Sequence, residues 1–217
     1  MARRKHSFVE GKFYHIYAHS IGDSSLFKSK VDYERFLGVL FTANGEKDIP
    51  RLDRFQALSK VWGTRDGGKD IGEPLVDIVC FCIMPNHFHL LLRERKDGNI
   101  SIFMHRILVS YAKYFNLKYQ RRGHVFENKF NSKLLADNKY LLRASSYIHL
   151  NPKDVRGFNK KEYLYNWSSF QDYIAESRWG RLLDRKIIMS QFSNRGEYKR
   201  FVNSARSEKY DLDADTD

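Results

Sequence analysis

Cysteine is almost missing from this chain of 217 residues: Cys80 and Cys82 are the only two. They alternate with Phe81 in an apolar run, and two cysteines two apart on one strand make a poor disulfide. Long hydrophobic runs are missing too, since no stretch approaches the roughly 20 apolar residues of a membrane span. The N-terminal Met-Ala-Arg-Arg-Lys-His is basic but no apolar signal-peptide core follows it, so the expected location is cytoplasmic. No internal repeat is visible. Acidic residues are the minority charge, 26 against 38 Lys and Arg, for a net charge of +12.

Apolar residues make up 42% and aromatics 15%, which argues for a folded chain and against disorder. The length suits one domain of ordinary size plus an extension. The cations are interleaved with rings, as in Tyr111-Ala-Lys-Tyr-Phe-Asn-Leu-Lys-Tyr-Gln-Arg-Arg-Gly-His124. A basic surface carrying aromatic rings suits a nucleic-acid backbone with unstacked bases. The cations are spread over several elements, which disfavours a membrane surface.

Along the chain, Phe13 to Tyr17 reads as a strand. Asp32 is a candidate cap for a helix carrying Phe36, Leu37, Leu40 and Phe41 at helical spacing. Residues 44–72 are polar and rich in Gly, Asp and Lys, with a possible short helix around Phe55, Leu58, Val61 and Trp62. Leu75 to Ile83 reads as a second strand. The tight turn Met84-Pro85-Asn86 would return His87 to Glu94 beside it as a hairpin. A helix beginning at Asn99 or Ser101 carries Ile100, Phe103, Met104, Ile107, Leu108 and Tyr111 on a 3.6-residue period, and Arg121-Arg122-Gly123 breaks it. Val125 to Leu135 is strand-like. Asp137 or Asn138 caps a short helix that ends at Asn151-Pro152. We therefore expect a domain over residues 1–152 and a helical extension over 153–217 with an acidic, disordered tail.

The most informative stretch is His87-Phe88-His89. On a strand these two imidazoles share one face, about 7 Å apart at the backbone, and can converge on one divalent cation. Half-buried histidines on a sheet surface are the plain alternative. A Cys2His2 zinc site formed with Cys80 and Cys82 across the turn is another, although its spacing is tighter than in the usual zinc modules. The short helix offers partners, because Tyr140, Ala144, Tyr147 and Asn151 lie on one stripe. Tyr147 and Asn151 would then present a phenol and an amide oxygen together, the latter a hard donor suited to Mg2+ or Mn2+. This set permits phosphodiester cleavage by a tyrosine nucleophile. Asn151 as a simple helix C-cap remains the competing assignment.

Met84-Pro85-Asn86-His87-Phe88-His89-Leu90-Leu91, followed by Tyr147-Ile148-His149-Leu150-Asn151-Pro152, resembles the IS200-like single-tyrosine (HUH) transposases. The likeness is greatest to the branch associated with repetitive extragenic palindromes (REP). Tyr14 to Tyr17, Asp32 to Leu37, Tyr114 to Asn116 and Asn166 to Phe170 support it, and it covers roughly residues 10–175. The resemblance implies an α+β, ferredoxin-like sandwich with helices on a central antiparallel sheet. It implies His87, His89 and Asn151 as metal ligands, Tyr147 as nucleophile, and Mg2+ or Mn2+ as cofactor. The implied activity is that of an enzyme cleaving and rejoining single-stranded DNA in transposition, at hairpin-flanked sites, through a 5′-phosphotyrosine. The implied assembly is a monomer or homodimer. Candidate DNA contacts are Lys113, Lys118, Arg121, Arg122, Lys129 and Lys133. Two departures stand out: Ala18 to Ser25 replaces an Asn-Arg-rich turn, and the polar insertion over 44–72 is long. A domesticated module that binds DNA or RNA hairpins without cutting is the alternative of a different class.

Overall fold

The computed structural model describes residues 7–22, 24–47, 71–127 and 129–207. Most of the polar insertion, the helix expected around Phe55 to Trp62 and the acidic tail lie outside the described residues. Four strands form one antiparallel sheet: β1 (Phe13–His19), β2 (Val76–Ile83), β3 (His87–Glu94) and β4 (Asn131–Leu135). Their order is β2-β3-β1-β4. With helices α1 (Lys30–Ala43) and α2 (Asn99–Lys118) between them, the chain runs β1-α1-β2-β3-α2-β4, the ferredoxin-like order. The α+β architecture expected from the sequence is the one observed.

The period-2 alternation of the strands decides what each face holds. Tyr14, Ile16, Phe88, Leu90 and Leu92 point to one side and form a core with Phe36, Leu37 and Leu40 of α1 and Phe103, Ile107 and Tyr111 of α2. The opposite residues, including Cys80, Cys82 and Leu91, meet helix α3 (Asn138–Leu150) through Leu141, Ala144 and Ile148. The stripe expected to hold this helix to the sheet, Leu141, Ser145 and Ile148, is buried.

Several boundaries differ in instructive ways. Ser29, not Asp32, is the N-cap of α1. Asp32 sits in the first turn, where its carboxylate accepts from Lys28 N at 2.9 Å and Ser29 N at 2.8 Å, satisfying donors that precede the helix. Only residues 131–135 of the strand-like 125–135 stretch enter the sheet as a strand. Phe126 instead makes a single bridge to Ser20. Helix α2 ends at Lys118, before the basic breaker, and the chain reverses through Gln120 and Gly123, both at positive φ (51° and 89°).

Residues beyond Asn151 contain helices α4 (Phe170–Ile174), α5 (Lys186–Met189) and α6 (Arg195–Ser204). They cover the open side of β2: Ile83 N donates to Trp167 O at 2.9 Å, Ser169 N to Phe81 O at 3.0 Å, and Tyr173 Oη to Val79 O at 2.7 Å. A covered edge has no spare ladder on which another chain can pair.

Candidate active site

The hairpin forms as the spacing requires, with Met84 N donating to His87 O at 2.8 Å across the turn. His87 and His89 stand on the α3 face of β3, their rings 4.8 Å apart and nearly perpendicular. Antiparallel pairing sets Tyr17 opposite His89 and His19 opposite His87. His15, Tyr17 and His19 of β1 therefore share the face of the histidine pair. The His15 ring stacks on His89 at 5.1 Å and the His19 ring on His87 at 4.7 Å.

Helix α3 brings the second half. Asp137 caps it, accepting from Tyr140 N at 2.9 Å, and the small residues Ala144, Ser145 and Ser146 are buried where it meets the sheet. Tyr147 is half-buried, and its ring stands edge-on to His89 at 5.7 Å and to His15 at 5.9 Å. Pro152 does not turn Asn151 off the helical stripe. Asn151 keeps right-handed helical angles (φ −50°, ψ −39°), and its backbone N–H still bonds Tyr147 O. Its side-chain Nδ2 donates to the same carbonyl at 3.1 Å, which leaves Oδ1 as the outward acceptor. Asn151 is thus both the C-cap and a member of the cluster. Tyr140, at the other end of the stripe, is exposed.

The electrostatics favour lone pairs over protons. Burial, then His19, lowers His87 to about 4, with the Asn151 side chain opposing the fall. Burial holds His89 well below its ordinary value, and the neighbouring His15, His87 and His19 push the same way. His15 falls to about 3 through burial and the Lys133 charge. Neutral imidazoles are what a divalent cation needs. His89 Nε2 is buried without a hydrogen-bond partner, an arrangement that is costly unless something else fills the position. A nitrogen pair with an amide oxygen nearby fits a borderline or hard cation.

The thiols do not join this set. Cys82 is paired opposite His89, yet both cysteines are buried and burial raises both thiols, so neither tends toward thiolate. Among the described residues no three His, Cys, Asp or Glu side chains stand at metal-binding distance, so a Cys2His2 centre is not assembled. Among amide side chains, Asn151 is the one the helix brings beside this pair.

The basic candidates fall into two groups. Lys118 is tied to buried Asp32 at 2.5 Å and to Ser29 Oγ at 2.9 Å, so its charge serves the start of α1. Lys113, Arg122 and Lys129 are exposed, and Arg121 lies over the Phe115 ring at 5.5 Å. The loop after α2 returns to the site, because Glu127 N donates to His19 O at 3.1 Å. Lys133 pairs across β1 with His15 and borders the cluster directly. His15, Tyr17, His19 and Asn86 were not among the expected site residues, although Tyr14 to Tyr17 and Asn86 lie in stretches that carry the resemblance. The alternation His-x-Tyr-x-His on β1, with the same period as His87 and His89, is the signal that could have found the first three.

An imidazole pair on a sheet facing a helical tyrosine defines the class of site. Residues 72–151, which run from just before β2 to Asn151, match the family described as "Transposase IS200 like". Among solved structures, the chain is similar to a REP-associated tyrosine transposase bound to a REP hairpin, with 14% sequence identity, a TM-score of 0.55, and coverage of 81% of this chain and 87% of that one. No curated protein matches it. The likeness read from the sequence, to IS200-like transposases and most to the REP-associated branch, therefore holds in the matched segment and in the fold. Among the described residues no helix is long and apolar enough to cross a membrane.

Proposed function

We propose that the protein is a metal-dependent transposase that cleaves and rejoins single-stranded DNA through Tyr147. The observation that carries this reading is the edge-on contact of Tyr147 with His89, 5.7 Å between ring centroids, across 58 positions of sequence. Nothing about core packing requires Tyr147, of the two tyrosines on this helix stripe, to meet the His-x-His strand. His87 and His89, through Nε2, and Asn151, through Oδ1, are the donors for the cation. Mg2+ or Mn2+ bound there would polarise the scissile phosphate and offset charge on the departing oxygen.

Tyr147 Oη attacks phosphorus while the P–O3′ bond breaks. The phenol proton leaves to base or solvent, and the departing 3′-oxygen takes up a proton. The products are a 5′-phosphotyrosine on one end and a free 3′-hydroxyl on the other. Attack of a 3′-hydroxyl on the phosphotyrosine reverses the exchange and regenerates Tyr147. A phenol of ordinary pKa near 10 is mostly protonated at neutral pH, so its activation within the imidazole cluster is part of the chemistry. Arg121, Arg122, Lys113, Lys129 and Lys133 supply the surface for the DNA backbone around the site. The hairpin in the similar solved structure supports hairpin-flanked single strands as the substrate class.

The test is incubation with single-stranded hairpin DNA and Mn2+, followed by denaturing electrophoresis for a covalent adduct. Tyr147→Phe should abolish the adduct while retaining most binding. An adduct that survives this change would assign the nucleophile elsewhere. Salt-sensitive binding with no adduct across varied hairpins would turn the reading to a non-cutting module.

A further inference from the structure

The two candidate ligand imidazoles each have one nitrogen already engaged, and in both it is Nδ1. His87 Nδ1 lies 2.8 Å from Asn86 Oδ1, an atom that can only accept. His87 must therefore carry its proton on Nδ1, which frees Nε2. Asn86 is itself anchored, since its carbonyl accepts from Ser20 N at 2.8 Å. His89 Nδ1 lies 3.0 Å from His15 Nε2, and here either ring can donate.

The direction of that second bond decides whether His89 can ligate. A neutral imidazole holds one proton. If His15 donates, the His89 proton sits on Nε2 and blocks a cation. If His89 donates, Nε2 is a bare lone pair and the remaining N–H is His15 Nδ1. Both His15 Nδ1 and His89 Nε2 are buried without partners. Each direction leaves one of these two nitrogens as an N–H, with the Asn151 side chain close by at His89. A cation at His89 Nε2 selects one direction, because only one leaves that nitrogen unprotonated.

We propose that His15 is the positioning residue of the ion site: it accepts from His89 Nδ1 and so holds His89 with Nε2 toward the cation, as Asn86 holds His87. This rests on the reading of His87 and His89 as cation ligands. It extends that reading to the strand beside them and to the residue before the motif. His15 makes no contact with substrate in this role. Outer partners of this kind commonly change metal affinity by about 10–100-fold when removed.

The test is Mn2+ binding to DNA-free protein, read from the loss of the free-ion electron paramagnetic resonance signal. His15→Phe keeps an aromatic ring in the stack but offers no acceptor, and should weaken Mn2+ about 10–100-fold. His15→Gln restores an acceptor at similar reach and should recover most of that affinity. Nitrogen-15 NMR of wild-type protein loaded with diamagnetic Zn2+ should find the His89 proton and the His15 proton both on Nδ1, the state in which His15 Nε2 accepts from His89. This measurement needs no variant and stands even if His15→Phe does not fold. Equal Mn2+ affinity in wild type and His15→Phe, or a His15 proton on Nε2 in the loaded protein, overturns the role of His15 and leaves the site assignment intact. Wild-type protein that takes up no more Mn2+ than a His87→Ala/His89→Ala variant overturns both.

Discussion

Lowering the pH from 7.5 to 5.0 should loosen the helix that carries Tyr147, and His149 is the group through which this can be measured. Its ring is fully buried, with Tyr198 Oη 2.7 Å from Nδ1 and Ser169 Oγ 2.8 Å from Nε2. Ser169 Oγ already donates to Phe81 O and accepts from Phe81 N, so it accepts from His149 Nε2–H. His149 Nδ1 is then the acceptor for Tyr198, and a second proton on the ring would break this bond. Burial accordingly lowers His149 to about 3 from 6.5. Across that window the unfolded chain binds the proton that the folded chain refuses, so stability falls as pH falls. At pH 5.0 the loss is about 2 kcal/mol for this one histidine. His15, also lowered to about 3, adds to the decline, whereas Glu94, raised to about 7 by burial, gains stability as it protonates. The raw profile is therefore a sum of opposing parts, and the informative quantity is a difference. His149→Gln should be less stable than wild type at pH 7.5, and urea unfolding in the presence of a chelator should show the gap narrowing by about 2 kcal/mol at pH 5.0. A gap that stays constant between the two pH values would refute the neutral, doubly bonded imidazole.

Asp32→Ala should be among the most damaging substitutions in the chain. It strips Lys118, Tyr114 Oη and Tyr119 Oη of a shared buried acceptor, and a drop of about 3–5 kcal/mol in urea unfolding is expected. Replacing Arg122 and Lys129 by Ala should lower the slope of log affinity for single-stranded DNA against log salt by about 0.7 for each phosphate that is no longer neutralised. An unchanged slope would place the strand elsewhere. Cys80 and Cys82, buried and held as thiols, should resist iodoacetamide in the folded protein and react only after denaturation.

The half of the site on β3 was legible because period 2 is strict: once Pro85 and Asn86 mark the turn, His87 and His89 can only share a face. The half on α3 was legible as a stripe, but its docking was not. Whether Tyr147 meets the histidines depends on sheet order and on how α3 crosses the sheet, both non-local, and here only the resemblance supplied the answer. His15 and His19 were hidden for a related reason. Their place beside His89 and His87 comes from the β1–β3 register, which no local pattern states. The strand expected over 125–135 reaches too far because Val125 and Phe126 are apolar for a different purpose, plugging the core beneath a loop. Lys118 shows the converse, since a cation in a basic, ring-rich stretch is spent on a carboxylate 86 positions away.

The strands carrying the four clustered imidazoles are the middle two of the sheet, each hydrogen-bonded on both sides. Tyr147, by contrast, lies one turn from the end of its helix, where the backbone tightens into a 3-10 turn at Asn151–Asp154. Amide exchange should therefore be slowest along the two strands beneath the imidazoles, whose spacing is fixed by ladders on either side, and any strand of DNA would meet them as a set frame.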